Sequence, residues 1–157
     1  MAEQDNIEKA KRFGTLLAEA ARHNRGIDLR IFGFNSEVIF DAGDARYCAV
    51  HALHAGGGNN DAGALWHAAQ VALASPRKKT LLVMISDGMP TECTVTALTG
   101  LVRRLTNNMQ MCCAQVAVSP ISEVCFPHFI LLKEDDLEGS VAEFANIILR
   151  LVRKVLP

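Results

Sequence analysis

Two stretches of the chain, Thr80 to Ile85 and Met109 to Val118, are apolar at nearly every position and are bounded by turn-forming residues. A strand with one wet face alternates apolar and polar residues, whereas a strand covered on both faces has no need to. Between them, Val95 to Leu105 carries apolar residues at helical spacing. Strands buried on both faces and joined through helices make an open, mostly parallel sheet with right-handed crossovers. The expected class is therefore α/β and Rossmann-like, with helices on both faces of the sheet.

The remaining segments fit this frame. Ile7, Ala10, Phe13, Leu16, Leu17, Ala20 and Ala21 recur at three- and four-residue steps, which predicts a one-faced helix from Ile7 to His23 that stops near Gly26. Ile27 to Phe34 and Glu37 to Asp41 are dense in β-branched and aromatic residues and meet at Asn35-Ser36. They read as a hairpin with a two-residue loop, Asn35 being tolerant of the positive φ such a loop requires, and they supply an antiparallel edge strand. A short helix is expected through Tyr47 to Leu53. A helix over Ala62 to Leu73 is capped by Asn60 or Asp61, and its many alanines imply close packing on the sheet. Phe129 to Leu132 reads as a last short strand, and Leu137 to Val155 as a closing helix capped by Asp135 or Asp136.

Composition narrows the class of protein. At 157 residues, a single domain with a real core is expected. With 50% hydrophobic and 21% charged residues, the chain is neither disordered nor fibrous. A net charge of −1 leaves no global basic footprint for nucleic acid. No apolar run approaches the ~20 residues that span a bilayer, and the polar opening residues lack the apolar core of a secretory signal, so a soluble, cytoplasmic protein is expected. Five cysteines, an odd number with Cys112 and Cys113 adjacent, suit buried reduced thiols rather than a disulfide framework.

Chemistry concentrates at one place. Asp87 follows the first apolar strand directly and precedes Gly88 and Pro90, so a tight turn holds its carboxylate at the carboxyl edge of the sheet, where open α/β sheets bind ligands. A lone aspartate there ordinarily just closes its turn. The glycine run Gly56-Gly57-Gly58 leads into Asn59, Asn60 and Asp61 at a helix start beside the same edge, adding oxygen side chains of the hard kind that Mg²⁺ prefers.

Gly57-Gly58-Asn59-Asn60-Asp61-Ala62-Gly63-Ala64-Leu65 opening a helix, Ser86-Asp87-Gly88-Met89-Pro90 closing a strand, and the Asn35-Ser36 hairpin together resemble a von Willebrand factor A domain. The likeness covers nearly the whole chain. It is strongest to the bacterial subclass of the cobalt chelatase accessory subunit and the nitric oxide reductase activation proteins. The resemblance implies a metal-ion-dependent adhesion site, in which a divalent cation takes a carboxylate from a partner protein. By position, Asp87 matches the third-loop aspartate, Asn59 the second-loop position usually held by threonine, and Asp61 an acidic residue typical of the subclass. The family's first strand and its Asp-x-Ser-x-Ser loop have no counterpart here. That strand would lie centrally, between Ile27–Phe34 and Thr80–Ile85. Three arrangements follow: the chain is a fragment whose first strand lies before it, a second copy fills the gap, or those two strands pair directly. Each leaves a cation short of ligands, so Mg²⁺ is expected to bind weakly or not at all.

Other constellations are weaker. Cys48, His51 and His54 stand at steps suited to soft metal ligands, but no fourth ligand is near in sequence, and solvated histidines explain them better. The glycine run lacks both nucleotide-binding patterns. Ser86, Asp87 and His67 are residue types of hydrolytic catalysis without a nucleophile elbow. The expected function is a non-enzymatic protein-interaction module that recognises an acidic residue of a partner. The resemblance implies an AAA+ ATPase as companion, in metal insertion or metalloenzyme maturation, and an open sheet also allows self-association. The alternatives are a small Mg²⁺-dependent phosphoryl-transfer enzyme using Asp87, and a metal-free scaffold.

Overall fold

A computed structural model describes residues 2–133 and 135–155. Helix α1 (Ala2–Arg22) leads into strands β1 (Arg30–Phe34) and β2 (Ile39–Asp44). Helix α2 (Asp61–Leu73), strand β3 (Leu81–Ser86), helix α3 (Val95–Asn107), strands β4 (Cys112–Ala117) and β5 (His128–Leu131) and helix α4 (Leu137–Val155) follow. The class is α/β, with a parallel three-stranded sheet flanked by helices, consistent with a Rossmann-like open sheet.

The order β3-β4-β5 is parallel throughout, with Leu81 opposite Cys112 and Ala114 opposite His128. β4 lies in the middle and is almost wholly buried. On one face, Leu82, Met84 and Cys113 pack with Leu65 and Ala69 of α2 and Leu98, Val102 and Leu105 of α3. On the other, Ala114, Val116 and Ile130 pack with Phe13 of α1 and Phe144 and Ile147 of α4. The Phe13 and Phe144 rings meet edge to face, with centroids 5.1 Å apart. This two-sided cover is why neither β3 nor β4 alternates apolar and polar residues. Cys112 is half-buried and Cys113 fully buried, on opposite faces, and burial pushes the Cys113 thiol up from its ordinary pKa.

The hairpin departs from expectation in its turn. β1 and β2 pair antiparallel from Phe34–Ile39 to Arg30–Asp44, so the loop has four residues, Asn35 to Val38, not two. Asn35 Oδ1 accepts hydrogen bonds from the amides of Glu37 and Val38 at 2.9 and 2.8 Å. The side chain thus stands in for a backbone carbonyl and no left-handed residue is required. Among the described non-glycine residues only Gln110 has a positive φ, 55°. β2 also runs past Asp41 to Asp44, and a single 3-10 turn (Val50–Ala52) occupies the short helix expected from Tyr47 to Leu53.

The caps are those the sequence suggests. Asn60 accepts from the Gly63 amide at the start of α2, and Asp136 from the Gly139 amide at the start of α4. Among the described residues no helix is long and apolar enough to cross a membrane.

β1–β2 and β3–β4–β5 are separate sheets, and β1 does not pair with β3. α2 packs against both strands and spans the break. Direct closure of the sheet, one of the three arrangements open from the sequence, is not the one adopted.

Candidate functional site

The strand β3 ends in two residues of opposite character. Ser86 is buried and accepts a hydrogen bond from the Gln115 side-chain amide at 2.9 Å, while Asp87, one residue on, is exposed. Parity along the strand accounts for this, since Ser86 shares the face of Leu82 and Met84 that lies beneath α2 and α3. The Ser119 hydroxyl, from the loop after β4, donates to the Asp87 carbonyl and ties the two strand ends together.

A second loop is clamped alongside. Asn59 donates its amide to Thr91 Oγ1 at 2.7 Å, and its carbonyl accepts from the amides of Thr91 and Glu92 at 3.2 and 3.1 Å. Glycine makes the approach possible. Gly57 sits at φ +80°, and a Cβ on Gly58 would lie 2.5 Å from Thr91 Oγ1 and 2.7 Å from Glu92 Oε1. The clamp sets the Asn59 side-chain amide 3.5 Å from Asp87 Oδ1, the outer limit of a hydrogen bond.

Asp61 is buried close by. It is the first residue of α2, only 1% exposed, and its Oδ2 has no hydrogen-bond partner. Burial, with a smaller contribution from the negative charge of Asp87, raises its pKa to about 6. A buried carboxyl with an unsatisfied oxygen is costly, and the helix N-terminus offsets part of that cost.

Asn59 and Asp87 therefore meet at one rim, with Asp61 buried nearby, where the charge of Asp87 reaches it. Their chemistry suits a hard cation in type, but two carboxylates and one amide fall well short of about six oxygen ligands. Among the described residues no three His, Cys, Asp or Glu side chains are grouped to hold a metal ion. The Cys48, His51 and His54 series is dispersed: His51 lines a groove with Lys11 and Arg12 of α1, and His54 lines a cleft beside β1. His67 is exposed on α2, with its ring against Phe32 at 5.0 Å, so the hydroxyl of Ser86 is engaged by Gln115 and the imidazole by an aromatic ring.

Thr91 and Gln115 were not visible as site residues from the sequence. Thr91 acts on a residue 32 positions earlier, and Gln115 is a polar interruption in an otherwise apolar strand. That interruption was the one local signal available. Gln115 Oε1 is also buried without a partner. No family model matches the chain, and no curated protein matches it.

Proposed function

We propose that this chain is a protein-interaction module whose contact point is the rim formed by Asn59, Asp61 and Asp87, and whose target is an acidic side chain of a partner. The observation that supports this reading is the approach of Asn59, held by the Thr91 clamp, to Asp87 at the carboxyl edge of the sheet, with the buried Asp61 carboxyl nearby. Two carboxylates facing a third repel it. A divalent cation shared between rim and partner would remove that repulsion, with Asp87 and Asn59 as ligands and the unpartnered Asp61 oxygen behind them.

With so few protein ligands, Mg²⁺ alone is held weakly, and the partner's carboxylate is needed to complete the set. Ser86 is buried against Gln115 rather than presented as a nucleophile, which favours a binding role over an enzymatic one. The sequence resemblance to the von Willebrand A subclass supports an AAA+ ATPase as the partner, by analogy of fold.

The test is affinity capture from the native host with the wild-type protein and Asp87→Ala as baits. An AAA+ ATPase recovered by the first and lost by the second is the expected result. Recovery of none by wild type would overturn the partner assignment. Calorimetry with MgCl₂ alone is expected to show no saturation below millimolar concentrations. Micromolar binding that disappears in Asp87→Ala would overturn the weak-site reading.

A further inference from the structure

At the edge opposite Asp87, where α1 and α2 finish and β1 and β3 begin, two turns lie against one another. Arg77, in the turn after α2, joins them. Its Nε donates to Asp28 Oδ2 at 2.7 Å, and its Nη2 donates to Asp28 Oδ1 at 3.2 Å and to the Arg25 carbonyl at 3.3 Å.

Two properties coincide here. The first is charge. Arg22, Arg25, Arg77, Lys78 and Lys79 are exposed, set against Glu19, which pairs with Arg22 and His23, and Asp28, which pairs with Arg77. Further along, Arg30 and Arg46 are offset by Asp41 and Asp44. Cations are therefore in excess, and neither Arg25 nor Lys78 has an ion pair among the described residues. The chain as a whole carries a net charge of −1, so the balance of the molecule is acidic, with Asp87, Glu92 and Glu123 exposed in loops that follow β3 and β4. The second property is apolar exposure. Ile27, between Arg25 and Asp28, is 50% exposed, and Leu73, the last residue of α2, is 52% exposed.

Aliphatic side chains set among cations select their ligand. Nucleic acid rewards the cations but gains nothing from Ile27 or Leu73. A docked helix needs a groove, and none of these residues lines either of the clefts beside α1 and β1. An anionic bilayer satisfies both properties, since its headgroups attract each cation while short aliphatic groups enter the interface between headgroup and acyl chain. The same negative surface repels the acidic edge, which gives the bound molecule one orientation.

We infer that this edge is a peripheral docking surface for an anionic lipid bilayer, with Arg22, Arg25, Lys78 and Lys79 among the headgroups and Ile27 and Leu73 in the interface. Asp87 then points away from the bilayer, toward solution. The inference goes beyond the role proposed for the rim and stands without it.

The test is flotation of the protein, in chelator, with vesicles of phosphatidylcholine alone or containing about 30% phosphatidylserine. Saturable binding to the anionic vesicles alone is expected, weakening about tenfold or more between about 50 and 300 mM NaCl. Arg25 and Lys78 hold no partner, so Arg25→Glu with Lys78→Glu should keep the fold, checked by circular dichroism, and weaken binding at least about tenfold. Ile27→Ser with Leu73→Gln should weaken it about fivefold or more and leave its salt dependence intact. Hydrogen exchange in the wild-type protein should slow on vesicles at residues 22–28 and 73–80. Failure to float with anionic vesicles, or equal binding to both vesicle types, would overturn the inference. So would two other outcomes: full binding by the Ile27 and Leu73 variant with duplex DNA competing, which means a site for polyanions in general, or self-association without vesicles that the charge reversals abolish, which means the acidic edge of a second copy.

Discussion

The two sheets of this molecule are held in different ways. β4, at the centre of the parallel sheet, is buried between two helical layers, whereas β2 in the hairpin exposes Ile39, Phe40 and Asp41. The first sheet depends on long-range packing. The hairpin depends on local polar chemistry: the Asn35 turn, an ion pair between Arg30 and Asp41, and Asp44 Oδ1 accepting from the Arg46 and Tyr47 amides. The contrast predicts that the hairpin opens more readily than the parallel sheet and its helices.

The largest effect is expected from the packed side. Phe13→Ala removes a ring that is 1% exposed and meets Phe144 edge to face, and should cost about 3–5 kcal/mol. Urea melts would show it, and a loss under about 1 kcal/mol would mean that α1 is not part of the cooperative core.

Next comes the rim. Asp61 titrates near 6 when folded against a reference of 3.8, so the folded state holds its proton more tightly than the unfolded state. Its contribution is complete at pH below the unfolded value and is lost as pH rises through about 6, a change of about 2–3 kcal/mol. Asp61→Asn should erase that slope. Melts of both proteins at pH 4 and pH 7.5, in chelator, should show the variant gaining relative to wild type at the higher pH, and parallel behaviour would refute the assignment.

On the hairpin, Asn35→Ala should cost about 1 kcal/mol, because two amides lose their acceptor. The sharper readout is hydrogen exchange, faster in β1 and β2 and unchanged in β3, β4 and β5. Equal acceleration everywhere would show that the two sheets unfold together. The smallest effect belongs to the exposed Arg30–Asp41 pair, where Asp41→Asn should change stability by less than about 1 kcal/mol.

The same division governs what the sequence discloses. Continuous apolar runs announced β3 and β4, because burial on both faces leaves a composition that no exposed segment shares. Asn60 and Asp136 were visible as caps, because capping acts within three residues. The hairpin loop is two residues longer than the sequence predicts, since Asn35 could close it either by backbone φ or through its side chain, and local sequence does not choose between them. At the rim, Asn59, Asp61 and Asp87 stood out by their place after glycine and strand. Thr91 did not, because its role depends on a contact between loops far apart in the chain. The break in the sheet fits two of the three arrangements open from the sequence, as pairing between β1 and β3 turns on how the helices space them.

The Thr91 clamp has a mechanical consequence. With the Asn59 carbonyl gripped by the amides of Thr91 and Glu92, the beginnings of α2 and α3 are pinned to one another like two beams bolted at a bracket. A tug applied at Asn59 is thereby shared by both helices before either must unwind.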